Sequence, residues 1–150
     1  MIKNKADFTA SVIDEKKLSN LKDSNIDAKL IDVANDSTDD TAKDYKDYDK
    51  VLFSIGTAGK YYSETTINVD LNGAIKSMIA AKKIGVKHYY MVYTWNYSKV
   101  AVDNPDYSIK TYTIAKNYAN LYLKNKSGLT YTIIHKSTLN YKPGQESIEV

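Results

Sequence analysis

A tyrosine and a lysine four positions apart, Tyr112 and Lys116 in the run YTIAK, are the residues of this chain best suited to proton transfer. On a helix they share a face, one turn apart. An ammonium held there favours the phenolate, so the tyrosine can give or take a proton near neutral pH. The spacing is a weak signal by itself. With 14 tyrosines and 21 basic residues in 150 positions, roughly two Tyr-x-x-x-Lys matches arise by chance. Two exist, the second being Tyr122/Lys126. Their places in the fold must separate them.

The elements that hold either pair alternate between strand-like and helix-like segments. FTASVI (8–13), AKLIDVA (28–34), the apolar run KVLFSI (50–55) before the turn GTAG, and VKHYYMVYT (86–94) read as strands, and SGLTYTIIH (127–135) turns into a fifth. Between them lie a charged helix at 14–24 and a helix with Ser37 or Thr38 as N-cap and acids in its first turn. A long helix at about 63–84 places Ile67, Leu71, Ala74, Ile75, Met78 and Ala81 at helical spacing, with Gly85 at its stop. A last helix, about 107–126, ends before Gly128. Residues 136–150 read as an irregular tail of a single domain spanning 1–150. Five strands alternating with four helices predict an α/β fold with a parallel sheet and right-handed crossovers. Ligands in such sheets bind beyond the carboxyl ends of the strands. The loop after the fourth strand leads into the helix of Tyr112, so this pair is expected at the ligand edge. Tyr122 and Lys126 follow about 15 Å further along the axis.

Composition narrows the chemistry. Cysteine is absent, which excludes disulfides, thiolate nucleophiles and Cys-ligated zinc. His88 and His135 fall in separate strands, and Asp32, Asp36, Asp39 and Asp40 read as a solvated helix start, so no metal site is expected. GTAGK (56–60) lacks the full G-x-x-x-x-G-K-[ST] spacing of a triphosphate loop. Net charge is +3 and every basic residue is lysine, dispersed among 18 acids. Without arginine forks or a basic stripe, no nucleic-acid partner is expected. No apolar run reaches membrane-spanning length, and MIKNKADF is not followed by a hydrophobic region, so no membrane partner and a cytoplasmic location are expected.

Taken together, these segments resemble the short-chain dehydrogenase/reductase superfamily, in its atypical NAD(P)-binding sugar-epimerase-like and NmrA-like branch. NVDLNGAIKSMIAAKKIGVKHYYMVYT (68–94) is similar to the family's helix, Gly-Val-Lys turn and strand ending in a hydroxyl residue. YTIAK matches its Tyr-x-x-x-Lys, GLTYTIIH its following strand, and FSIGTAG (53–59) the loop beside the dinucleotide. The similarity covers roughly residues 8 to 145, and the order of the motifs makes it more specific than any one of them.

The resemblance implies NAD or NADP as cofactor and a small-molecule substrate. Tyr112 would be the acid/base, and Lys116 its pKa-lowering partner and a ligand of the nicotinamide ribose. Thr94 would orient the substrate oxygen. Ser54, Gly56, Thr57 and Ala58 would line the dinucleotide, with Asp32 and Val33 near the adenine. The family's opening strand, glycine-rich phosphate loop and helix have no counterpart in this sequence, which starts at the equivalent of the second strand. His135-Lys136 stands where an Arg-Pro is usual, and the family's later substrate-binding segment is not matched. The lost strand would lie between the strands at 8–13 and 50–55. The expected repair is a Rossmann-like three-layer sandwich whose sheet closes up in the flavodoxin-like order 2-1-3-4-5, with a homodimer through an exposed edge as the other outcome. An oxidoreductase or epimerase is the first functional expectation. A non-catalytic dinucleotide-binding or NmrA-like regulatory protein, or a truncated scaffold that has lost cofactor binding, is the alternative.

Overall fold

A computed structural model of the chain describes residues 7–57, 62–94, 103 and 110–136. The elements follow the expected alternation: β1 (Ala10–Val12), α1 (Glu15–Asp23), β2 (Ala28–Leu30), α2 (Thr38–Tyr45), β3 (Lys50–Phe53), α3 (Ser63–Thr66), a π-helical turn (Ile67–Gly73), α4 (Ala74–Lys83), β4 (His88–Thr94), α5 (Lys110–Asn125) and β5 (Tyr131–Lys136). Local chemistry fixes their ends. The Asp14 side chain accepts from Lys17 N to cap α1, and Ser37 accepts from Asp40 N to cap α2. Gly85 and Gly128 adopt φ of 74° and 61° after α4 and α5, where a left-handed residue ends each helix.

All strand pairs are parallel, β1 with β2, and β3 with β4 and β5. The expected single sheet in the order 2-1-3-4-5 is not formed among the described residues. The 2-1 and 3-4-5 neighbours occur, but they belong to two separate sheets. A cleft of about 800 Å³ lies between them, lined by Thr9, Ala10 and Ser11 on one side and Lys50, Leu52 and Ser54 on the other. Tyr48 bridges the two sides. Its hydroxyl donates to Thr9 Oγ1 at 2.8 Å, and the Lys29 ammonium sits 4.9 Å from its ring centroid. This bridge links the segments that lead into β1 and β3, which are not themselves paired.

The pleat sorts the three-stranded sheet. Val51, Phe53, Tyr89 and Met91 alternate onto the face that packs with helices, and all four are buried beside Ala74, Met78, Ala119 and Leu123. The opposite face carries Leu52 and Ile134, which are 44% and 42% exposed. Inside the core, Ser77 Oγ lies 2.8 Å from Tyr45 Oη and 3.0 Å from Tyr89 Oη. Burial raises the pKa of both phenols, and Tyr89 is raised well above the usual tyrosine range.

The 63–83 helix departs from its expected face. Ala74, Met78 and Ala81 are buried as the spacing predicts, but Ile67 is 45% exposed, Ile75 is half-buried, and Thr66, Asp70, Gly73, Ser77 and Ala80 are buried instead. These added positions follow one another at steps of three and four, so the buried face is a wider helical stripe that also meets the 54–57 loop and α5. No described helix is long and apolar enough to cross a membrane.

Candidate active site

The site begins at the carboxyl end of β3. The strand runs out into Ser54, Ile55, Gly56 and Thr57, and α5 passes close enough for Lys116 to reach this loop. Lys116 Nζ donates to Ile55 O at 2.8 Å and lies 2.9 Å from Asp70 Oδ1, at an angle that makes the contact an ion pair rather than a hydrogen bond. Both side chains are buried, at 3% and 0% exposure. The ammonium also lies 5.8 Å from the Tyr112 ring centroid and 6.0 Å from that of Phe53, within cation–π range of both.

Asp70 is aimed by Thr57. Its Oδ2 accepts from Thr57 N at 3.0 Å and from Thr57 Oγ1 at 2.5 Å, a charge-assisted length. With the Thr57 hydroxyl proton spent on Asp70, the Thr66 hydroxyl must be the donor in the 3.1 Å contact between the two threonines. Gly56 lies over the pair. A Cβ there would stand 2.7 Å from Asp70 Oδ1 and 3.0 Å from Lys116 Nζ. Its lack of a side chain is therefore required by the ion pair underneath.

Position separates the two Tyr-x-x-x-Lys pairs. Tyr112 and Lys116 are at the end of α5 beside the 54–57 loop. Tyr122 packs against the core, and Lys126 is exposed at the far end of the helix, its amide donating to Tyr122 O.

The remaining expected residues are spread around this edge. Thr94 is the last residue of β4. Ser54 is exposed at one end of the cleft between the sheets. Asp32 holds its own turn, with Oδ1 accepting from Ala34 N and Asn35 N, and Oδ2 from Asn35 Nδ2. Partial burial pushes its pKa up, but those hydrogen bonds and the Lys76 charge outweigh it, so the carboxyl lies below the ordinary range. Val33 is buried against Gly73. Ala58, the expected helix start near 107 and the tail beyond Lys136 lie outside the described residues.

The four acids near α2 are each engaged. Asp36 accepts from Asp32 N, Asp39 pairs with Lys83, and Asp40 with Lys43. Among the described residues no cluster could hold a metal ion. Asp70 is the member of the site that the sequence reading missed. The available signal was an acid on the apolar stripe of a long helix, but the expected stripe ran through Ile67 and Leu71 and left Asp70 outside it.

The residues present fit one end of a dinucleotide. A nearly buried ammonium, an exposed loop backbone at Gly56 and the Tyr112 ring suit a ribose and a flat base. The pyrophosphate finds less. The starts of α1, α2 and α3 carry Glu15, Asp39 with Asp40, and Glu64, so they repel an anion, and no glycine-rich turn leads into them among the described residues.

Comparison with known proteins decides the family. The pattern of the NAD(P)H-binding family matches residues 1–150. The chain belongs to that family. NAD or NADP is thus its cofactor class, as the sequence resemblance implied. The uncharacterized sugar epimerase YhfK of Bacillus subtilis is 32% identical over 139 residues, which are 93% of this chain and 63% of that protein. The UPF0659 protein YMR090W of Saccharomyces cerevisiae is 34% identical over 124 residues, 79% of this chain and 52% of its own length. Among solved structures, a Bacillus halodurans protein named for the NAD-dependent epimerase/dehydratases superposes with a TM-score of 0.76 at 28% identity, covering 90% of this chain and 60% of that one. The parallel α/β architecture is accordingly Rossmann-like, and the chain spans less than two-thirds of the length of each of these relatives.

Proposed function

We propose that this chain forms the catalytic edge of an NAD(P)-dependent oxidoreductase or epimerase acting on a small hydroxyl- or carbonyl-bearing substrate. One observation carries the reading. The Lys116 ammonium lies 5.8 Å from the Tyr112 ring centroid and is fixed to the loop at the carboxyl end of β3. In this reading a bound nicotinamide dinucleotide supplies or accepts the hydride. Tyr112 gives its phenolic proton to the substrate oxygen in reduction and removes it in oxidation, with the Lys116 charge stabilising the phenolate. Thr94 at the end of β4 hydrogen-bonds the same oxygen. Lys116 also binds the nicotinamide ribose, the backbone of Ser54, Gly56, Thr57 and Ala58 lines the dinucleotide, and Asp32 with Val33 receives the adenine end. The reading implies the cytoplasm as the compartment.

A homodimer is part of the proposal. The facing edges of β1 and β3, with Leu52 44% exposed beside the cleft, offer a second copy unpaired backbone and apolar surface. A second functional reading, dinucleotide binding or sensing without turnover, is favoured by one observation. Two polar contacts already hold Lys116 inside the protein.

Calorimetric titration with NADH and NADPH tests these readings, with Tyr112→Phe and Lys116→Ala alongside. Micromolar binding, weakened by loss of Lys116 but not of the Tyr112 hydroxyl, is expected. Turnover that disappears in Tyr112→Phe selects the enzyme, and equal binding without turnover selects the sensor. No heat at millimolar cofactor from folded protein refutes both.

A further inference from the structure

Asp70 lies outside the set of residues that the family resemblance picks out, yet it is the most enclosed charged side chain among the described residues. A buried carboxylate is costly unless its lone pairs are met, and removing one partner of a buried pair strands the other. Here one oxygen is hydrogen-bonded and the other faces an opposite charge. Thr57 donates both its amide and its hydroxyl to Oδ2, and Lys116 faces Oδ1.

A hydrogen bond and a charge fix the lysine. Of the three N–H groups of its ammonium, one is donated to Ile55 O, and the Asp70 carboxylate draws the charged end from 2.9 Å away. Gly56 sits so close above that even a methyl group would collide with both charged atoms. The ammonium is thus held from the helix side, from the loop side and from above.

We propose that Asp70 is a positioning residue for Lys116. Its carboxylate, aimed by Thr57, holds the ammonium under the 54–57 loop so that its remaining N–H groups meet the ribose hydroxyls of a bound nicotinamide dinucleotide. The ribose half of this inference rests on the cofactor reading above; the holding of Lys116 does not. Asp70 touches neither cofactor nor substrate and acts through the ammonium alone.

The test compares wild type with Asp70→Asn, Lys116→Gln and the double variant for NADPH affinity. Asp70→Asn is expected to weaken binding by about tenfold or more, because an unpaired buried charge loses its fixed place. The double variant is expected to bind no worse than Lys116→Gln, the signature of two residues acting as one. Losses that multiply across the two positions would overturn the proposal. Thr57→Ala removes one donor to Asp70 and keeps the backbone, so it stands in if Asp70→Asn does not fold. It is expected to lose affinity in the same direction and nothing further in the Lys116→Gln background.

A cofactor-free measurement separates the two halves. The side-chain ammonium signal of Lys116 in nitrogen-proton NMR is expected to be sharp and slow to exchange in wild type, and to fade into solvent exchange in Asp70→Asn or Thr57→Ala. A signal unchanged by either variant overturns the holding of Lys116 by Asp70. If the signal behaves as expected and wild type binds neither NADH nor NADPH, the ribose half is overturned together with the cofactor reading, and the holding of Lys116 stands.

Discussion

Replacing Gly56 with alanine is the smallest change that reaches the buried ion pair. The new Cβ would stand 2.7 Å from Asp70 Oδ1 and 3.0 Å from Lys116 Nζ. Against an unstrained contact of about 3.5 Å, the closer approach is roughly 0.8 Å too short. A surface side chain would simply swing aside. These two cannot, because Lys116 is tied to Ile55 O and Asp70 to Thr57. Either the loop lifts and loses those bonds, or the pair opens inside the protein. Overpacking costs about 1–3 kcal/mol, and loss of a hydrogen bond to a charged group about 1.5–3 kcal/mol. A destabilisation of about 3 kcal/mol is therefore expected. With a urea slope of about 2 kcal/mol/M, the midpoint falls by about 1.5 M.

Gly85→Ala is the control. Its φ is +74° but nothing lies within 4 Å of an added Cβ, so only left-handed strain remains, about 1 kcal/mol. Urea denaturation followed by far-UV circular dichroism, with matched slopes, measures both. Gly56→Ala within about 0.5 M of wild type, or milder than Gly85→Ala, would show that the loop does not press on the pair.

Ser77→Ala removes the hydroxyl shared by Tyr45 and Tyr89 and should cost about 2 kcal/mol in thermal or urea melts; converting both tyrosines to phenylalanine as well should recover much of it. The phenols of Tyr45 and Tyr89 are raised in the folded state, so the stability they contribute is complete below the unfolded value of about 10 and is lost as pH rises through the folded values. Urea midpoints measured from pH 8 to 11 should accordingly hold to about pH 10 and then fall, and fall less in Tyr45→Phe/Tyr89→Phe. Leu52→Lys, which puts a charge at the edge of β3, should weaken the proposed homodimer in sedimentation; a wild type that sediments as monomer, or a dimer unchanged by the substitution, would refute that contact.

Much of this architecture is legible in the sequence because its signals are local. Ser37, Gly85 and Gly128 mark helix ends through their own backbone and side-chain chemistry, and the apolar run at 50–55 reads as a strand, though it lies at the edge of its sheet and not at the centre. The loop edge of YTIAK follows from counting turns along α5. What escaped reading depends on contacts between distant segments. Asp70 meets Thr57 across 13 positions in one direction and, in the other direction, Lys116 on α5. No window of sequence contains all three. The bridge between the two sheets likewise depends on Tyr48 reaching Thr9, 39 positions away. The buried row on the 63–83 helix escaped for a related reason. Thr66, Asp70, Gly73 and Ser77 recur at helical spacing, but being small or polar they give no apolar signal.

The π-helical turn is where the 63–83 segment stores one residue. The first rod and the turn point Thr66 and Asp70 inward toward the loop chemistry, and the second points Ser77, Met78 and Ala81 into the core. A π-helical turn accommodates about one residue more than an α-helical turn does. Removing Leu71 or Asn72 would therefore let an unbroken α-helix form while the site face and the core face keep nearly their present relation. The same deletion inside α4 has no such slack to take up, and would turn the parts on either side by about 100° relative to each other. Deletions placed within and beyond the turn thus tell a spare residue from a structural one.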